Sequence, residues 1–170
     1  MPPAVDLAVY LDTSAVLRAV LEEGTTPTIE GKIGAASTLI TSRLSLVEAG
    51  RAFLRLRSSG QVSEEQLADA GRELDALWAR CEIWEMTPLV CEMASQVAPT
   101  KPLRTLDALH LATYLLARRR IGELELLTAD QRGSTSPLKA TVSSALDSVA
   151  TSTSISTDRV VCRAPVAPST

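Results

Sequence analysis

The chain has 170 residues, of which 45% are hydrophobic and 22% are charged, and this suits one globular domain with a sizeable core. Aromatic residues make up only 3%, so side chains on which single-stranded bases could stack are scarce. The net charge of −3 argues against a broadly basic surface, so any nucleic acid would be held by local groups of basic side chains.

The first predicted elements are a short strand and a helix. Residues 5–11 are apolar and rich in strand formers, Asp12 follows them directly, and residues 15–22 have helical periodicity. A weaker helical pattern occupies residues 29–36. This order predicts a β-loop-α unit with Asp12 at the carboxyl end of its strand.

A second strand and helix carry the next acidic residue. Residues 38–42 are predicted as a strand and residues 44–56 as a helix. On that helix Glu48, Arg51 and Arg55 share one face, because their spacing is i, i+3 and i+7.

The following segment is predicted as helix, strand and helix. Residues 63–66 resemble a capping box that opens a long amphipathic helix, which could form a hairpin with the preceding helix. Residues 82–86 form a marginal third strand, and residues 87–97 begin with the N-cap and first-turn residues of a further helix.

The last clear pair of elements carries two more acidic residues. Residues 105–119 are predicted as a helix with Thr105 as its N-cap, which puts Asp107 in the first turn, where the helix dipole favours an anion. Residues 124–127 are predicted as the fourth strand, with Asp130 near its carboxyl end.

Strands and helices therefore alternate, which predicts an α/β fold: a three-layer α/β/α sandwich with a mostly parallel central sheet of four to five strands. Such folds place their functional sites at the carboxyl ends of the strands. Asp12, Asp107 and Asp130 meet this rule directly, and Glu48 meets it if its helix crosses the same edge.

Converging carboxylates repel one another unless a divalent cation neutralises them, so the four acids predict a site for Mg²⁺, with Mn²⁺ as a substitute. A metal held in this way can activate water and stabilise charge on a phosphodiester. A metal-dependent nuclease is therefore the first functional hypothesis.

Each acid also has a structural alternative. Asp12 and Asp130 could cap helices, Asp107 could complement its helix dipole, and Glu48 could pair with an arginine of its own helix.

The basic residues and the single histidine each allow two interpretations. Seven arginines are candidate phosphate contacts, or else they belong to solvated helix faces: Arg43, Arg51, Arg55, Arg57, Arg118, Arg119 and Arg120. His110 is the only histidine and lies one turn from Asp107. It could act as a general base, or it could support the site by a hydrogen bond or by packing.

The cysteines and the apolar segments bear on localisation. Three cysteines without CxxC spacing indicate neither a disulfide framework nor a zinc site, which fits a reducing cytoplasm. No basic leader and no apolar run of about 18 residues is found, so neither export nor membrane insertion is expected.

Residues 1–132 are predicted as the core, and residues 133–170 as an atypical tail with nine Ser and six Thr. Within the tail a helix at 137–149 and an edge strand at 159–162 are candidates, and disorder is expected from residue 164. Two hypotheses explain the abrupt change in composition: a reading-frame change near codon 133, or a genuine insertion.

Four segments together resemble the PIN domain, specifically the VapC-type toxins of bacterial type II toxin-antitoxin pairs. The resemblance spans about residues 5–132. The segments are VYLDTSA at 9–15, SLVEA at 45–49 with the following Arg51, LDALHLA at 106–112 and LLTAD at 126–130.

The resemblance implies a Mg²⁺-dependent endoribonuclease that cuts structured RNA such as tRNA or rRNA. It also implies inhibition by a VapB-type antitoxin, and a toxin homodimer. The residues that it assigns to the metal are Asp12, Glu48, Asp107 and Asp130, with the hydroxyls of Thr13 and Thr128 either as supporting ligands or as capping groups.

Two other functions compete with this one. The altered tail allows a catalytically weakened PIN domain that binds antitoxin or RNA. A haloacid-dehalogenase-like phosphatase with Asp12 as its nucleophile is disfavoured, because Ser14 stands where that motif requires a second acid.

Overall fold

The computed structural model describes residues 7–22, 27–99 and 103–129, in which four strands and six helices follow one another. The order agrees with the predicted α/β class. The elements are β1 (Ala8–Leu11), α1 (Thr13–Leu21), α2 (Pro27–Ala35), β2 (Thr38–Ser42), α3 (Arg43–Ser59), α4 (Glu64–Arg80), β3 (Cys81–Trp84), α5 (Pro88–Gln96), α6 (Thr105–Ile121) and β4 (Glu125–Leu127).

Several predictions concern residues outside the described ranges. These are the fourth acid, Asp130, the helix at 137–149 and the strand at 159–162. The division into a core of residues 1–132 and a tail of residues 133–170 therefore stays a prediction.

The four strands form one sheet in the order β3-β2-β1-β4, and every neighbouring pair is parallel. Leu11 of β1 lies beside Thr41 of β2 and beside Leu127 of β4. The carboxyl ends of these strands are therefore level at one edge of the sheet, here called the carboxyl edge. The predicted mostly parallel sheet is confirmed, with four strands in the described ranges.

Helices cover both faces of this sheet. Side chains alternate along β1, so Val9 and Leu11 belong to one core cluster and Tyr10 to the other. The first cluster joins β1 to α1, α2 and α4, and the second joins it to α6. All four residues of β1 are buried, as expected for a central strand of a three-layer sandwich.

Helix α3 begins where β2 ends and so starts at the carboxyl edge. The Ser42 hydroxyl caps it by accepting a hydrogen bond from a backbone N–H two residues later, at 3.2 Å. Gly60 ends it in the left-handed conformation, with φ of 65°. Ser63 and Gln66 form the predicted capping box of α4. This arrangement places Glu48 in the second turn of α3.

The predicted N-cap of α6 is wrong by one residue. Arg104 has an extended backbone, and its carbonyl accepts the first helical hydrogen bond from Ala108 at 2.9 Å, so Thr105 is already helical. Asp107 lies in the first turn as predicted. No helix in the described ranges is long and apolar enough to cross a membrane.

Candidate active site at the carboxyl edge

Asp12 leaves the end of β1 and occupies the N-cap position of α1, yet its carboxylate makes no capping hydrogen bond. Its backbone N–H donates to the Leu127 carbonyl at 3.0 Å, which ties it to the end of β4. Its Oδ2 accepts a hydrogen bond from the Ser14 hydroxyl at 2.5 Å. The structural alternative of a capping carboxylate is therefore not what the geometry shows.

Glu48 is half-buried, and its carboxylate contacts residues of two other helices. Its Oε2 accepts a hydrogen bond from the Thr13 hydroxyl and lies 2.8 Å from His110 Nε2. These partners belong to α1 and α6, so α3 does cross the carboxyl edge. An ion pair with Arg51 or Arg55, the alternative raised by the sequence, is not the observed arrangement.

His110 of α6 contacts side chains from β1, α1 and α3. Its side chain is buried, and Nε2 lies 2.8 Å from Glu48 Oε2, 3.8 Å from Asp12 Oδ1 and 3.4 Å from the Thr13 hydroxyl oxygen. Its other ring nitrogen, Nδ1, lies 3.2 Å from the Tyr10 hydroxyl oxygen. Two carboxylates 36 positions apart are thus within reach of one imidazole nitrogen.

Asp107 lies three residues before His110 on α6, and the spacing puts both side chains on one face of the helix. It is half-buried and makes no hydrogen bond or ion pair with another described residue. Because His110 contacts the end of β1, the first turn of α6 lies at the carboxyl edge. No contact between Asp107 and Asp12 or Glu48 is found among the described residues, so its place in the site stays a prediction.

The segment that leads to Asp130 begins beside Asp12, although Asp130 itself is outside the described ranges. The Ala129 backbone N–H donates to the Ser14 hydroxyl oxygen at 3.0 Å. The Thr128 hydroxyl is buried and has no hydrogen-bond partner within the described ranges. An orphaned buried oxygen of this kind calls for a partner, and a cation or a water molecule would provide one.

Local interactions favour the ionised form of Glu48. Partial burial alone would raise the pKa of this carboxyl group, but hydrogen bonds with His110 and Thr13, together with the positive charge of Arg55, bring the pKa below its ordinary value. Burial, reinforced by the Asp12 carboxylate, raises the pKa of Tyr10. At neutral pH Glu48 is therefore ionised, whereas the phenol of Tyr10 is neutral.

The side chains at the carboxyl edge offer mainly oxygen donors to the predicted divalent metal. Asp12, Glu48 and the Thr13 hydroxyl supply hard oxygen donors, which suit Mg²⁺ and Mn²⁺, and Thr128 offers another. Within the described ranges, no three His, Cys, Asp or Glu side chains are grouped closely enough to hold a metal. The oxygen donors thus suit the metal by their chemistry, whereas the described residues alone do not form a complete metal site.

The arginines that are candidate phosphate contacts lie on two helices, α3 and α6. Arg51 and Arg55 are exposed on α3, one and two turns beyond Glu48, and neither forms an ion pair with a described residue. Arg57, further along the same helix, is paired with Glu64. The two unpaired guanidinium groups are thus available to an anion near the carboxyl edge.

Helix α6 carries its arginines at the opposite end from the site. Arg119 lies twelve residues beyond Asp107, which corresponds to about 18 Å along the helix axis. Its neighbours have structural contacts: Arg118 donates to the Tyr114 hydroxyl at 3.3 Å, and Arg120 lies over the Trp84 ring at 5.9 Å. Arg119 itself is exposed.

Comparisons with known proteins identify the family of the chain. The PIN domain family model matches residues 9–134. Ribonuclease VapC45 and Ribonuclease VapC49, from two strains of Mycobacterium tuberculosis, are each 30% identical over 107 residues, which covers 63% of this chain and 74% of the relative. The crystal structure of PAE2754 from Pyrobaculum aerophilum has a TM-score of 0.54 and 23% identity, and covers 89% of this chain and 95% of that one.

Proposed function

Because the chain belongs to the PIN domain family, we propose that it is a metal-dependent endoribonuclease of the VapC toxin type, which hydrolyses phosphodiester bonds in structured RNA such as tRNA or rRNA. Two curated relatives are named as VapC ribonucleases, which supports the reaction class. The observation that carries the proposal is the convergence of Asp12 and Glu48, from β1 and α3, on one nitrogen of His110.

The residues assigned to the metal are Asp12, Glu48, Asp107 and Asp130, with Thr13 and Thr128 in support. A bound Mg²⁺, or Mn²⁺ in its place, would supply activation of a water molecule and neutralisation of charge on the attacked phosphate. Asp12 and Glu48 would hold the cation through oxygen atoms. Thr13 keeps the Glu48 carboxylate turned toward the carboxyl edge by donating a hydrogen bond to it.

The side chains that bind the RNA phosphates would lie mainly on α3. Arg51 and Arg55 lie on exposed positions beyond Glu48, where a phosphate that approaches the carboxyl edge would meet two unpaired guanidinium groups. Arg119 would contact RNA only where the substrate extends about 18 Å along α6. A local group of arginines thus compensates for the net charge of −3.

The proposed partners follow from the toxin type. We expect a VapB-type antitoxin that blocks the site in the cytoplasm, and a homodimer of the toxin. The exposed face of α3 supports a protein contact, because Val47 is 55% and Leu54 is 51% exposed, and apolar side chains seven positions apart lie on one side of a helix.

The proposal is tested by incubating the purified protein with total RNA in a series of Mg²⁺ and Mn²⁺ concentrations, and in parallel with EDTA. Cleavage that rises with metal and stops with EDTA is expected. The Asp12→Asn protein, purified in the same way, controls for contaminating ribonuclease. Cleavage that EDTA leaves unchanged would reject the metal mechanism, and no cleavage at any metal concentration would favour a module that only binds RNA or antitoxin.

A further inference from the structure

We propose that His110 is a positioning residue for the proposed nuclease: held by Tyr10 on one side, its imidazole fixes the Glu48 carboxylate in the orientation that metal binding requires. The inference rests on the proposed function. It assigns to His110 a task that is neither general-base catalysis nor simple packing.

A chain of contacts connects Tyr10 to Glu48 through His110. The Tyr10 hydroxyl oxygen lies 3.2 Å from His110 Nδ1, and His110 Nε2 lies 2.8 Å from Glu48 Oε2. Tyr10 is fully buried in β1, so its hydroxyl is a fixed point. The imidazole therefore connects Tyr10 of the central strand to Glu48 of α3, and the fixed position of Tyr10 restrains the Glu48 side chain.

The donor in each of these hydrogen bonds follows from the chemistry of the groups. A phenol has an ordinary pKa near 10 and is a neutral donor at neutral pH. When the Tyr10 O–H donates to Nδ1, a neutral imidazole carries its proton on Nε2. That N–H then donates to Glu48 Oε2, and a donor facing a carboxylate makes one of the stronger hydrogen bonds in proteins.

Two donors restrain the Glu48 carboxylate. Its Oε2 accepts from both His110 and the Thr13 hydroxyl, and these two donors come from different helices. With Oε2 held on two sides, the carboxylate cannot rotate freely, and Oε1 is the oxygen left for a cation. Supporting hydrogen bonds of this kind orient metal-binding side chains and tune their affinity.

Burial separates this role from catalysis. Only 2% of His110 is exposed, and Tyr10 closes the inner side of the ring. The imidazole therefore has no open face toward a polynucleotide, and its influence on the reaction must pass through Glu48.

The experiment compares two substitutions of His110 with matched shapes. His110→Leu keeps the volume but removes both ring nitrogens, whereas the amide of His110→Gln offers an N–H close to the place of Nε2. Mn²⁺ binding is measured by titration calorimetry and by the Mn²⁺-dependent rise in Tm, alongside RNA cleavage. We expect the Leu variant to bind Mn²⁺ about 10-fold to 100-fold more weakly, and the Gln variant to recover most of the affinity.

Two further variants separate positioning from general damage to the core. Tyr10→Phe removes only the hydroxyl that orients the ring, and we expect a smaller loss of Mn²⁺ affinity in the same direction. Thr41→Val is the control, because its buried hydroxyl bonds to the Leu11 carbonyl at 2.9 Å and to Ser45 at 2.8 Å and contacts none of the acids. It should lower the Tm without changing Mn²⁺ affinity.

The outcomes distinguish the two proposals. A wild-type protein that neither binds Mn²⁺ nor cleaves RNA overturns the proposed function, and the role of His110 with it. A wild-type protein that does both, beside a folded Leu variant of equal Mn²⁺ affinity, overturns the role of His110 alone. Equal losses in the Gln and Leu variants also overturn it. If the Leu variant does not fold, the Gln and Tyr10→Phe proteins decide. Unchanged Mn²⁺ affinity in Tyr10→Phe, together with a Gln variant that binds Mn²⁺ at least about 10-fold more weakly than the wild type, contradicts the inference.

Discussion

The backbone N–H of Ala129 donates a hydrogen bond to the Ser14 hydroxyl oxygen at 3.0 Å, across 115 positions of sequence. The same hydroxyl donates to Asp12 Oδ2 at 2.5 Å. One side chain thus links the first acid of the site to the segment that enters Asp130. The serine that stands where a haloacid-dehalogenase motif needs an acid therefore has a structural task of its own.

Replacing Ser14 with Ala should loosen this link. We expect the free energy of unfolding to fall by about 1 kcal/mol, the usual net contribution of a hydrogen bond, and RNA cleavage to fall by about 10-fold, because a displaced ligand lowers the rate. Urea denaturation and kcat/KM measure the two effects. Ser58→Ala, which removes an exposed hydroxyl bonded to the Leu54 carbonyl, is the control. Equal cleavage by wild type and Ser14→Ala would show that the link does not affect the site.

Removing the charge of a proposed metal ligand should abolish activity and spare the fold. Asp12→Asn and Asp107→Asn are each expected to lower RNA cleavage at least about 100-fold. Their Tm in the presence of EDTA should equal or exceed that of the wild type, because repulsion among carboxylates is relieved. Glu73→Gln, at an exposed position of α4, should cleave normally. Activity retained by Asp107→Asn would remove that residue from the site.

Much of the fold was predictable from local sequence patterns. Three features depend on residues within a few positions of one another: the strand that ends just before Asp12, the capping box at Ser63 and Gln66, and the placement of Asp107 in a first turn. The N-cap of α6 was predicted one residue too late, because the backbone of Arg104 and not a capping side chain sets the start of that helix.

The contacts within the site were less predictable, because they join distant parts of the chain. Nothing in the sequence near His110 indicates that Tyr10 lies against one of its ring nitrogens and Glu48 against the other. Only the register of β1 and the packing of α6 on it bring the three together. A signal was present in retrospect, since a lone histidine one turn from a candidate ligand is well placed to support the site.

The arginines of α3 should control RNA affinity. Arg51→Gln and Arg55→Gln each remove one phosphate contact, so we expect weaker binding at low salt and a slope of log affinity against log salt that is smaller by about 1. Arg57→Gln is the matched control, because Arg57 is exposed on the same helix but paired with Glu64. Binding is measured by fluorescence anisotropy on labelled RNA with the Asp12→Asn protein, to prevent cleavage. An equal change in all three variants would indicate a general effect of charge.

The depressed pKa of Glu48 predicts how the stability of the metal-free protein varies with acid. A carboxyl group with a lower pKa in the folded than in the unfolded state contributes stability that is complete above its ordinary value of 4.5 and is lost as the pH falls through the folded value. The Glu48→Gln side chain is uncharged at every pH. We therefore expect this variant to be less stable than the wild type at pH 6, and the difference in the free energy of unfolding to shrink as the pH falls below about 4. Urea denaturation in EDTA across this range measures the difference. A difference that stays constant with pH would show that His110 and Thr13 do not favour the ionised form of Glu48.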